Sequence, residues 1–99
     1  MRLGEIIRGS KTALVTGAST GIGRCYAEQL AELGYNLIIA GRDSELLHSL
    51  AEHITTTCGV TVTVHHKDLA TLTAAEELYE WVKNEGHTVD VLINNAGMF

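Results

Sequence analysis

Three glycines, Gly17, Gly21 and Gly23, stand in the stretch Thr16-Gly17-Ala18-Ser19-Thr20-Gly21-Ile22-Gly23, and their setting constrains the fold more than any other part of the chain. Before them runs a short apolar segment, Thr12-Ala13-Leu14-Val15, which reads as a buried strand. After them, apolar residues recur at Ile22, Tyr26, Leu30 and Leu33, which is helical spacing. The glycines therefore sit where a strand hands over to a helix. Gly17 allows a tight turn, Gly21 leaves room for a pyrophosphate against bare main chain, and Gly23 lets the helix lie close to the strand. The first amides of a helix have no internal partners, and the helix dipole is positive at that end. The stretch thus predicts an anion site built from backbone. The spacing is G-x-x-x-G-x-G and not G-x-G-x-x-G, so its weight comes from the strand before it, the helix after it and a second strand about 20 residues on.

The rest of the chain continues the alternation. A helix is expected over residues 21–33, ending at Gly34, and a strand over 36–40, whose unbroken apolar run implies cover on both faces. A second helix is expected over 43–57, capped by Asp43 or Ser44, with Leu46, Leu47, Leu50 and Ile54 as its inner stripe and Gly59 beyond its end. Residues 60–64 alternate strictly, which suits an edge strand. A third helix opens at Thr73-Ala74-Ala75-Glu76, a capping-box pattern, with Ala75, Leu78, Tyr79 and Val82 inward and Gly86 at its end. A fourth strand is expected over 89–93. This β-α-β-α-β-α-β order predicts an α/β fold, a parallel sheet with helices on both faces joined by right-handed crossovers. Proline is absent, and no linker, repeat or low-complexity segment interrupts the pattern.

Composition narrows the function classes. Ninety-nine residues allow at most one domain. A net charge of −5 argues against a nucleic-acid or anionic-membrane surface. The adjacent pair His65-His66 would point to opposite faces of a strand, so no metal site is expected. Cys25 and Cys58 form no C-x-x-C pair and read as reduced packing residues. Residues 1–10 contain no signal-peptide apolar region and no run is long enough for a membrane span, so a cytoplasmic location is expected.

A second motif, Asn94-Asn95-Ala96-Gly97, follows the last expected strand. Together with Thr16-Gly17-x-x-x-Gly21-Ile22-Gly23 it resembles the short-chain dehydrogenase/reductase family from about Lys11 to the last residue. The resemblance implies a Rossmann-type sheet in strand order 3-2-1-4, with the cofactor above the switch point between the first and fourth strands. Cofactor choice is read at the end of the second strand. A carboxylate there would grip the ribose 2′-hydroxyl of NAD; this chain has Gly41 and then Arg42, which can pair bidentately with a 2′-phosphate. NADP is therefore favoured over NAD. The alternative for Arg42 is a loop ion pair with Asp43. Ser19 and Thr20 can hydrogen-bond phosphate without adding charge. By the same resemblance Asp68 meets the adenine amino group, the Leu69 amide meets the ring, and the stretch Asn94 to Gly97, with Asn94, Ala96 and Gly97 as its site residues, borders the adenine ribose and ties the fourth strand to its neighbours. As a bare pattern, Asn-Asn-x-Gly is also a strand-ending turn.

The family's chemistry implies a serine, a Tyr-x-x-x-Lys pair and an asparagine on the helix after the fourth strand. Tyr79-Glu80-Trp81-Val82-Lys83 matches literally but falls on the third helix, before the fourth strand, so it reads as a helix-face pair with the Tyr79 ring packed and Lys83 in water. No catalytic residue is assigned. The expectation is a partial NAD(P)-binding domain that lacks its catalytic half and does not turn over alone, with the fourth strand as an apolar edge open to a second copy. The alternative is a non-catalytic nucleotide-binding or interaction module complete at this length.

Overall fold

Two apolar runs become the centre of the molecule because neither face of either can be left to water. They are β1 (Thr12–Thr16) and β2 (Asn36–Gly41), buried along almost their whole length. The computed structural model describes residues 11–19, 21–68 and 73–95. Around the two runs stand α1 (Gly21–Glu32), α2 (Ser44–Cys58), β3 (Val62–His66), α3 (Ala74–Asn84) and β4 (Val91–Asn94). Among the described residues the strands form one parallel sheet in the order β3-β2-β1-β4, as expected. β1 therefore has β2 on one side and β4 on the other, and the chain reverses direction across the sheet at β1.

Side chains alternate across the two central strands. Ala13, Val15, Leu37 and Ile39 face α1 and α2, where Ala27, Ala31, Leu47, Leu50 and Ile54 complete the larger core. Leu14, Ile38 and Ala40 face α3 through Leu78, with Trp81, Val82 and Val89 packed alongside. Helices thus cover both faces. β3 is half-buried, as its alternation predicts for an edge.

Several local readings need correction. β3 begins two residues later than expected, because its ladder starts where Val62 pairs with Leu37 and runs to His66 opposite Gly41. Val60 is buried ahead of it. β4 likewise starts at Val91, because Asp90 is occupied in a reciprocal pair with Thr12: its N–H donates to the Thr12 carbonyl and its Oδ2 accepts from the Thr12 amide. On α1 the buried residues are Gly23, Ala27 and Ala31, while Ile22, Tyr26 and Leu33 are exposed. A helix lying close on a sheet needs small residues at the contact, and these carry little hydropathy signal. Leu46 is 40% exposed and outside the α2 stripe. On α3, Ala74 is buried and Ala75 is not.

Capping differs between the helices. Asp43 caps α2 as expected, accepting from the Leu46 amide at 3.1 Å. Thr73 makes no side-chain cap. Its hydroxyl instead donates to Glu77 Oε1 at 2.6 Å, and Glu77 also pairs with Lys67, so the capping box does not form.

A ring stack joins β3 to α3. His65 lies 4.1 Å from Trp81, centroid to centroid, and Trp81 lies 5.3 Å from His87. Burial, and then the charges of Lys67 and His66, push the His65 pKa below its ordinary value. A histidine with a depressed folded pKa contributes stability above its unfolded value, near 6.5, and loses that contribution as pH falls toward the folded value. The melting temperature should therefore fall as the pH is lowered through 6.5, and His65→Phe, which keeps an aromatic ring against Trp81, should flatten that part of the profile.

Candidate functional site

The carboxyl ends of the strands carry the residues that the sequence singles out. At the end of β1 the Gly17 amide donates to the Ala40 carbonyl at 2.9 Å, so the loop starts anchored to β2. Gly17 and Gly21 both have φ of 63°, the left-handed region that glycine tolerates and other residues resist. A β-carbon placed on Gly21 would meet nothing within 4 Å, so the first turn of α1 presents bare main chain to open space. No acidic residue stands in that turn to compete with an anion. A β-carbon on Gly23 would lie 2.1 Å from the Gly17 carbonyl oxygen and 2.8 Å from Asn95 Nδ2. Gly21 is thus required by conformation and Gly23 by contact.

Ser19 lies beside Gly41, the residue before Arg42, across the β1 and β2 ends. A β-carbon on Gly41 would sit 3.6 Å from the Ser19 hydroxyl, and Arg42 is the next residue, with an exposed side chain. The ion pairs among the described residues join Arg24 to Glu28, His53 to Glu28 and Lys67 to Glu77, and none of them involves Arg42. Asp43, the alternative mate, turns its carboxylate to the α2 amides. Ile22 is 66% exposed at the start of α1. Asp68 is exposed just past β3, and the Lys67 amide beside it donates to the Gly41 carbonyl at 2.7 Å. Thr20, Leu69, Ala96 and Gly97 lie outside the described residues.

The Asn-Asn motif acts first on the loop itself. Thr16 is buried, and its hydroxyl donates to Asn94 Oδ1 at 3.1 Å while accepting from the Asn95 amide at 2.9 Å. Asn95 Nδ2 donates to the Gly17 carbonyl at 3.2 Å. Asn95 thus ties β4 to the glycine loop, as expected of the motif that holds it. The sequence signal was the second asparagine of the pair; what it holds depends on β4 lying beside β1. Asn95→Ala leaves the half-buried Gly17 carbonyl without that donor, at a cost of about 1 kcal/mol. Thermal melting should record it as a loss of roughly 4–8 °C.

Tyr79 and Lys83 lie elsewhere. They line an apolar groove of about 710 Å³ on the α3 face, with Leu14, Leu78, Val82 and Leu92. The groove reaches Thr16 and Asn94 at the strand ends, but its lining includes none of Gly17, Gly21, Gly23 and Arg42. Tyr79 is 65% exposed, so its ring is not packed as expected. This largely apolar groove opens where α3 covers β1 and β4, with Thr16, Lys83, His87 and Asn94 as its polar lining.

A family model described as short chain dehydrogenase matches residues 11–99. The chain is 44% identical over 89 residues to retinol dehydrogenase 13 of Homo sapiens, covering 89% of this chain and 27% of that protein. It is 36% identical over 88 residues to 17-beta-hydroxysteroid dehydrogenase type 3 of Mus musculus, covering 87% of this chain and 28% of that protein. It therefore spans little more than a quarter of either relative. Among solved structures, L-sorbose reductase from Gluconobacter frateurii complexed with NADPH and L-sorbose superimposes with a TM-score of 0.82 at 35% identity, over 93% of this chain and 35% of that one. A short-chain dehydrogenase from Sphingobium yanoikuyae in complex with NADPH gives a TM-score of 0.79 at 36% identity, over 89% and 34% respectively.

Proposed function

The chain belongs to the short-chain dehydrogenase family, and from that premise we propose that it binds NADP(H) as the cofactor-holding part of an oxidoreductase acting on a carbonyl/alcohol pair. The observation that carries this reading is the bare turn at Gly21 set beside an Arg42 that has no ion-pair partner among the described residues. The main-chain amides from Ser19 to Gly23 would take the pyrophosphate, with the α1 dipole behind them. Arg42, with the Ser19 and Thr20 hydroxyls, would take the 2′-phosphate. Asp68 and Leu69 would meet the adenine, and Asn94, Ala96 and Gly97 its ribose. Ile22 would close one side of the crevice. NADPH-bound relatives of the same fold support the choice of NADP over NAD.

When bound, NADP(H) supplies the hydride that a carbonyl accepts. The chain's own residues hold and orient the dinucleotide. None of them is proposed to move the substrate proton: Tyr79 and Lys83 stand on α3, in a groove whose lining includes none of the loop glycines. These 99 residues on this reading are part of one dinucleotide-binding domain and bind without turning over. A cytoplasmic location belongs to the same reading. Calorimetric titration of the full chain with NADPH and NADH tests it. Saturable binding of NADPH, tighter than NADH, is expected, with no NADPH oxidation on adding aliphatic or aromatic ketones. Absence of binding to either dinucleotide would overturn it.

The β4 edge favours a second reading, an interaction surface. β4 pairs only with β1 among the described residues, and Leu92 on it is 59% exposed. Pairing of that edge with a second copy would shield both. Light scattering at rising concentration would show dimers, and Leu92→Lys would return them to monomers.

A further inference from the structure

The end of β3 touches the Arg42 backbone in a way that the dinucleotide reading does not use. The β2–β3 ladder closes with His66 opposite Gly41 and with the Lys67 amide donating to the Gly41 carbonyl at 2.7 Å. Arg42 is the first residue past that ladder, where a backbone is ordinarily free to turn. Its carbonyl is nevertheless held, because His66 Nε2 lies 2.8 Å from it. A carbonyl oxygen carries no proton, so Nε2–H is the donor. Both the neutral Nε2–H tautomer and the imidazolium provide that donor. On the other side of Arg42, Asp43 is fixed as the α2 cap. Arg42 is thereby pinned before, at and after its own position, and only its side chain is left to move.

We infer that His66 is a positioning residue for Arg42: its imidazole substitutes for the missing rung of the ladder, aims the guanidinium toward the Ser19 side of the crevice, and so sharpens preference for a 2′-phosphorylated adenosine. This deepens the NADP(H) reading and rests on it. His66 acts through the Arg42 backbone and does not touch the phosphate. Losing the bond leaves Arg42 with the ordering cost of one backbone residue to meet on binding, which corresponds to roughly five- to thirtyfold in affinity. That cost falls only on the ligand that Arg42 holds.

The test titrates the full chain with 2′,5′-ADP and with 5′-AMP and takes the ratio of the two affinities. Wild type should favour 2′,5′-ADP. His66→Ala should reduce the ratio roughly five- to thirtyfold with 5′-AMP binding unchanged. His66→Gln, which restores a side-chain N–H at similar reach, should recover most of the ratio. Arg42→Ala should abolish the preference, and adding His66→Ala to it should change nothing more, since the two act as one unit. A wild-type ratio in His66→Ala, or an equal weakening of both ligands, overturns the positioning role while leaving the NADP(H) reading intact. A further loss from His66→Ala in the Arg42→Ala chain also overturns it, by showing direct contact with the ligand. A wild-type chain with no preference removes the NADP(H) reading and this role together.

Discussion

Gly23→Ala lowers the melting temperature by roughly 10–20 °C and abolishes dinucleotide binding. The added β-carbon would stand 2.1 Å from the Gly17 carbonyl oxygen and 2.8 Å from both the Gly17 carbonyl carbon and Asn95 Nδ2. Two of those three atoms are backbone, so no rotamer relieves the contact. The α1 helix has to lift from β1, or the glycine loop has to open. Forced overpacking costs about 1–3 kcal/mol where side chains can yield, and the upper end or beyond applies where main chain must move. At about 4–8 °C per kcal/mol for a domain of this size, the stated shift follows. Gly21→Ala makes the control. Its β-carbon meets nothing, but φ of 63° is retained at a cost of about 1–2 kcal/mol for a residue with a side chain. Circular dichroism melts of both variants, with NADPH titrations beside them, separate contact from conformation: Gly23→Ala should lose more stability than Gly21→Ala.

Arg42→Ala has the second-largest effect, and on affinity alone. The side chain is exposed and joins no ion pair among the described residues, so its removal leaves stability within about 0.5 kcal/mol. A charge-assisted hydrogen bond is worth about 1.5–3 kcal/mol, so NADPH affinity should fall roughly 10- to 100-fold. NADH affinity should hardly change. Fluorescence titration of NADPH and NADH against both chains measures it. An equal loss for the two cofactors would place Arg42 outside the 2′-phosphate site.

The sheet was legible because apolar runs do not mislead about strands buried on both faces. Residues 12–15 and 36–40 admit few other readings, and the two motifs fix the order 3-2-1-4 around them. Helix faces were harder. On α1 the large apolar residues Ile22, Tyr26 and Leu33 spell a stripe, but Gly23, Ala27 and Ala31 make the contact, since close approach to a strand selects for smallness. Tyr79 and Leu46 were misplaced for a related reason: a 3.6-residue period can be counted from either flank of the buried face. In the candidate site, the glycines were readable from local chain chemistry. The tie of β4 to its neighbours was readable from the motif at 94–97 and the strand order, and Asn95 makes it. His66 was not readable, because it acts across a strand pair and needs the register that places it opposite Gly41. A two-residue shift in the expected start of β3 was enough to hide it.

The most direct test of the account is a map of backbone amide shifts on adding NADPH to the isotope-labelled full chain. The account predicts that the largest shifts fall on Gly17, Ser19, Gly21, Ile22, Gly23, Arg42 and Asp68, with smaller ones at Asn94 and Asn95. Shifts centred instead on Leu14, Leu78, Tyr79 and Val82 in the α3 groove, or no shifts at saturating NADPH, would contradict it.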